Sequence, residues 1–193
     1  PDVITFAGNG ESTMHLEIAG IIGDTIELRD LISPNARIAV LSNGTMIHKK
    51  EVFRALLQIE ENIQKLDSAF EETIKLLDCP NKNFSLQKTV DQLTLFQGKV
   101  IIQTLFVKGT YKGENVDNTT VKEILAWIEL LKKIKPSQVM IYTIARDTPI
   151  DTLEKVSLCE LNLIAKRFED AGFKVQVSGY KFTEFSQRNF RNM

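Results

Sequence analysis

Apolar and polar positions along this chain alternate between two regimes. Short apolar stretches, nearly continuous at 2–7, 37–41, 100–107 and 139–144 and interrupted by polar residues at 62–66 and 173–177, punctuate the chain. Between them lie longer segments in which apolar residues recur every three or four positions, as in Ile18, Ile21, Ile22, Ile26 and Leu28, or Val52, Phe53, Leu56 and Leu57. The first regime predicts buried strands and the second predicts amphipathic helices. Helices are therefore expected over 14–30, 49–58, 68–76, 86–96, 119–134 and 153–171. Gly20 and Gly23 weaken the first of these, while Pro136 and Gly172 close the last two. The segment 109–118, polar and glycine-containing, is expected to be a long loop.

This order is βα repeated five times with a closing strand. Strands that are apolar on both faces are what a parallel sheet under helices requires. The fold class is therefore α/β, and both a partial or complete barrel and an open doubly wound sheet fit. In either one, the functional residues belong at the carboxyl ends of the strands.

Composition narrows the function classes. A chain of 193 residues suits one domain, and a net charge of -1 with a pI near 6.2 gives no broad basic field for nucleic acid. The two cysteines, Cys79 and Cys159, are too few and too distant for a disulfide framework or a tight metal motif. His15 and His48 stand alone, so a zinc site is not expected. No apolar run approaches 18 residues and no signal peptide is visible, so no membrane association and a cytoplasmic setting are expected. Neither a dinucleotide fingerprint nor a phosphate-loop Gly-Lys-Ser/Thr is present.

The strand ends carry the chemistry. The first apolar run leads into Gly8-Asn9-Gly10-Glu11, and later ones into Ser42-Asn43-Gly44, Lys65-Leu66-Asp67, Gln103-Thr104 and Tyr142-Thr143. A carboxylate such as Glu11 suits an ammonium partner, although the same segment also reads as a tight turn with Ser12 as a helix cap. Ser42-Asn43 is either a pair of ligand contacts or a strand-ending turn. Lys65 and Asp67 share one side of a strand, where they form either a site or a structural ion pair. Asp117 and Asn118 precede a helix, so Asn118 or Thr119 also serves as a cap.

Taken together, the run 5–15, Ser42-Asn43-Gly44, Lys65-Leu66-Asp67, Ile102-Gln103-Thr104, the stretch 109–119 and the stretch from Tyr142 to Pro149 resemble the radical S-adenosylmethionine (SAM) enzymes. The branch most similar contains wyosine-type tRNA-modifying and pyruvate-formate-lyase-activating-like proteins. The resemblance covers roughly residues 2–178, leaving 179–193 as a polar tail. It implies a partial (β/α) TIM-like barrel lacking its first strand and cluster loop, because no CxxxCxxC motif is present. The chain would then be a portion of the radical SAM core domain, inactive alone, with Pro1 matching the point just before the family's second strand.

In the intact enzyme the resemblance implies a 4Fe-4S cluster and SAM as cofactors. Reductive cleavage of SAM would give a 5'-deoxyadenosyl radical that abstracts hydrogen from a substrate the resemblance leaves open, tRNA and glycyl-radical proteins being two that the branch uses. A one-electron donor such as flavodoxin or ferredoxin is the implied partner. Cofactor contacts would fall on Gly8, Asn9, Gly10, Glu11, Ser42, Asn43, Lys65, Asp67, Gln103, Thr104 and Tyr142. Substrate contacts would fall on His15, Asp117, Asn118, Arg146 and Asp147, with Lys65 and Asp67 the candidates for catalysis. No metal ligands are expected within this chain. Two alternatives stay open: a cluster-free binding or regulatory domain, and an aldolase or hydrolase with Lys65 as reactive amine. Unpaired edges of an incomplete barrel also lead us to expect self-association.

Overall fold

A computed structural model describes residues 1–8, 10–145 and 150–178. Six parallel strands form the sheet: β1 (Val3–Phe6), β2 (Arg37–Ser42), β3 (Glu61–Lys65), β4 (Ile101–Tyr111), β6 (Gln138–Thr143) and β8 (Val175–Ser178). They lie in the order β1-β2-β3-β4-β6-β8, each strand beside its predecessor. A doubly wound sheet reverses direction at a switch point; this one never does. The architecture is therefore a singly wound partial barrel, open rather than closed.

The helices are α1 (Ile18–Ile32), α2 (Lys50–Leu56), α3 (Glu71–Asp78), α4 (Leu86–Thr94), α5 (Val121–Ile134) and α6 (Leu158–Asp170). Ile22, Leu56, Leu93, Trp127, Leu131 and Phe168 from these helices join Val40, Ile102, Phe106, Val139 and Ile141 from the strands in one buried cluster. One continuous core means that the helices cover one face of the sheet. The opposite face is concave and carries the alternate strand residues, including Lys65, Gln103, Met140 and Tyr142, all half-buried. On the amino-terminal side, Glu60 accepts hydrogen bonds from the Ile38 amide (2.8 Å) and from Arg29 (3.0 Å), which ties α1 to the start of β2 and β3.

Two segments differ from their sequence-based reading. The expected loop 109–118 is the outer part of a hairpin: β4 runs on to Tyr111, and β5 (Glu114–Asp117) returns antiparallel to it. Lys112 and Gly113, with φ of 51° and 83°, make a two-residue turn whose positive angles match the twist of paired strands. The expected helix 153–171 instead splits. Leu153–Lys155 is β7, antiparallel to β4, and the helix begins only at Leu158, where the Ser157 hydroxyl caps the Glu160 amide (3.2 Å). Gly109 joins the two, because its backbone (φ 125°) lies so close to β7 that a Cβ there would sit 2.1 Å from the Thr152 carbonyl oxygen.

Candidate functional site at the carboxyl rim

The loops after β1 and β2 meet at Glu11. One oxygen of its carboxylate accepts from the amide (3.1 Å) and hydroxyl of Thr13, and the other accepts from the Asn43 amide (2.6 Å). Glu11 is thus itself the cap of a short 3-10 turn, Ser12–Met14, a role the sequence reading gave to Ser12. Ser42 is buried, its hydroxyl accepting from the Gly44 amide (3.0 Å) and lying 3.4 Å from that of Thr13. Asn43 is exposed, and its side chain accepts from Thr45 in an Asx turn. Gly8 and Gly10 are exposed, with open space where a Cβ would be, and Asn9 lies outside the described residues.

One strand further along, Lys65 binds both Asp67 and Asp78. Asp67 is buried to 1% exposure, and its second oxygen accepts from the Leu105 amide (2.9 Å). Burial pushes the Asp67 carboxyl up to about 7; Lys65 opposes the rise and Asp78 adds to it. Burial also works against the charge of Lys65, yet the two carboxylates outweigh it and hold the ammonium above the ordinary lysine range. That is the opposite of what a Schiff-base lysine needs, so the geometry runs against the aldolase alternative.

Register sets the neighbours of Lys65 across the concave face. It pairs with Gln103, which pairs with Met140; one step towards the rim, Leu105 pairs with Tyr142. Burial pushes the Tyr142 phenol up to about 12, with Asp67 adding to the rise. Gln103, Met140 and Tyr142 open into a cavity of about 840 Å³ that continues under Lys155, Ser157 and Leu161. A mostly apolar cleft of this size with a few polar groups matches small-molecule sites.

The remaining candidates divide by face. Thr104 points into the core, fully buried, with its hydroxyl spent on the Leu66 carbonyl (2.9 Å). Asn118 is buried too: it donates to the carbonyls of Asp67 (2.9 Å) and Leu105 (2.7 Å) and accepts from the Val107 amide (2.9 Å). It is a structural clamp at the middle of β4, where the strand leaves the parallel sheet for the hairpin, and Asp117 beside it accepts from the Thr119 amide (2.8 Å) and hydroxyl (2.6 Å). The cap of α5 is Thr120 rather than Asn118 or Thr119. His15 is exposed and accepts from the Glu17 amide (3.2 Å). Arg146 and Asp147 lie outside the described residues.

Sequence reasoning passed over Asp78, Lys155 and Ser157. For Asp78 no local signal existed. For the other two, the capping pattern Ser157-Leu158-Cys159-Glu160 marked a helix start at 158 and so a separate segment before it. Among the described residues no group of three histidine, cysteine or carboxylate side chains is arranged to hold a metal ion. No helix there is long and apolar enough to cross a membrane.

No family model matches the chain. Among curated proteins it is 28% identical over 172 residues to GTPase Obg of Brachyspira hyodysenteriae, covering 87% of this chain and 24% of that protein. It is 25% identical over 150 residues to the UPF0026 protein MJ1312 of Methanocaldococcus jannaschii, covering 74% of this chain and 41% of that protein. The chain thus spans between a quarter and two fifths of the length of these relatives.

Solved structures share its fold. A domain of pyruvate-formate lyase-activating enzyme from Bacteroides vulgatus superposes with a TM-score of 0.65 at 17% identity, over 91% of this chain and 98% of that one. A radical SAM methyltransferase from Sphaerobacter thermophilus gives 0.68 at 14%, over 93% and 51%. Streptococcus suis SuiB bound to S-adenosylmethionine gives 0.66 at 14%, over 97% and 44%. The α/β fold described above is the one these three structures share with the chain.

Proposed function

We propose that this chain is the SAM-binding part of a radical SAM enzyme. The reading is supported by a partial barrel of that fold whose strand ends carry Glu11 bonded to Asn43, Lys65 paired with Gln103, and Gln103 and Tyr142 on one cavity. The adjoining cavity has room for a nucleoside-sized ligand. SAM would supply the radical that abstracts hydrogen from the substrate.

The residues of this chain would bind and aim SAM. Lys65, paired with Gln103 at the cavity's edge, would offer a cation to its carboxylate, Gln103 and Tyr142 would offer hydrogen bonds to its nucleoside, and Met140 and Leu161 would exclude water from beside it. Glu11 would act through Asn43, fixing the two loops against each other, and its remaining lone pairs would face the ligand's ammonium. A 4Fe-4S cluster does not fit the residues present, since it needs a local set of three thiolates. Cys79 ends α3 and Cys159 sits in α6, both exposed. In this reading the cluster ligands lie elsewhere in the intact protein, and this chain alone is inactive.

The substrate would be a tRNA or a protein, and the electron donor a flavodoxin or ferredoxin in the cytoplasm. The relative named a GTPase lends no activity here, because no phosphate-loop sequence occurs in the chain.

The test is anaerobic reconstitution of the encoded full-length protein beside this chain. About four irons and four sulfides, with reductive SAM cleavage, are expected in the longer protein alone. No cluster in either would favour the second reading, a cluster-free binding domain.

A further inference from the structure

The ammonium of Lys65 has three hydrogens. Asp67 and Asp78 take two of them, but the two carboxylates are not equivalent. Asp67 belongs to the same strand end, has a fully buried side chain and is fastened by the Leu105 amide. Asp78 is the last residue of α3, its side chain is 23% exposed, and Lys65 is its one hydrogen-bond partner among the described residues. Lys65 itself keeps 29% of its side chain exposed beside Gln103.

The middle of α3 is anchored, with Ile74 in the core and the Thr73 hydroxyl donating to Glu123 (2.6 Å), whereas its last residue, Asp78, is tied to the end of β3 through Lys65. Once Asp67 is ionised the cluster carries a net charge of -1. A second anion therefore gains nothing by approaching while Asp78 stays in place. An anion that displaces Asp78 meets a fixed, charged Lys65 whose remaining counterion is locked in the strand.

We propose that Asp78 occupies the place of a ligand's anionic group, and that a carboxylate or phosphate bound on the concave face takes Lys65 from it and releases the end of α3. This rests on the reading of the concave face as the ligand site, and it adds both the chemistry recognised there and a latch that answers to it. The anion has two sources: the carboxylate of SAM, or a carboxylate or phosphate of the substrate.

Calorimetric titration of this chain, Asp78→Asn and Lys65→Met with SAM, decarboxylated SAM and inorganic pyrophosphate tests the proposal. Freed of its competitor, Asp78→Asn should bind an anionic probe at least about fivefold tighter, the upper end of what fully exposed ion pairs contribute, since this pair is more buried than those. Lys65→Met should lose that response. Tightening with SAM but not its decarboxylated form assigns the site to the cofactor, whereas tightening with pyrophosphate alone assigns it to a substrate phosphate. In that second case absent SAM binding would count against the proposed function and leave the latch standing. Equal affinities of wild type and Asp78→Asn for every probe, or no binding of any, overturn the proposal. That comparison suffices even where Lys65→Met fails to fold.

Discussion

Two buried side chains at the rim show how much a single residue holds. Asn118 completes three backbone hydrogen bonds, two that β4 leaves open as it passes into the hairpin and one from the chain just beyond β3. Asn118→Ala should cost about 2–4 kcal/mol, measured by denaturant unfolding, because it strands two carbonyls and an amide away from water. Asp67 sets a pH dependence. Its carboxyl titrates near 7 when folded and at the ordinary aspartate value, about 3.9, when unfolded. Between those values the folded state holds more protons, so this group's contribution to stability falls as pH rises from about 4 to 7. Asp67→Asn should remove that slope. An unchanged difference between the two proteins across the window would show that Asp67 carries no such proton.

Elements were legible in sequence where burial dictates composition, and less so where a turn or a tertiary contact decides. Strands β1, β2, β4 and β6 stood out because a strand between helices and a half-buried concave face is apolar for most of its length, whereas β3 buries Asn62 and Gln64 around its one apolar residue, Ile63. The hairpin did not, since its exposed residues Lys112, Gly113, Glu114 and Asn115 look like loop and the signal is one Lys-Gly turn. Alternation would have separated Gln103 from Thr104, but only once it is known that the helices cover one face. Asp78 was invisible, because its meeting with Lys65 depends on how α3 lies. The outer sheet offers its own test. Gly109→Ala would drive a Cβ into the Thr152 carbonyl from a backbone angle that L residues avoid, so β7 should detach. Faster hydrogen exchange at the Thr110 amide, bonded to Thr152 (3.1 Å), with slow exchange kept at Ile102, is the expected pattern.

At the scale of the whole molecule, α1 is apolar on both sides. Ile18 and Ile22 enter the core, while Leu28, Leu31 and Ile32 are 57%, 82% and 76% exposed. Beside it, β1 pairs with β2 alone among the described strands. We expect this chain by itself to associate as its concentration rises, and Leu31→Glu with Ile32→Glu to weaken that association. A single monomeric species for both across a sedimentation series would refute it. The strand order has a consequence for how the chain reaches this state. Every parallel pairing joins a strand to the one before it in the parallel series, so no step has to close a loop longer than one or two elements. The search is therefore short-ranged for a parallel sheet, and assembly can proceed like a zipper from any neighbouring pair. Folding rate should consequently respond little to lengthening a rim loop, even one that alters the site completely.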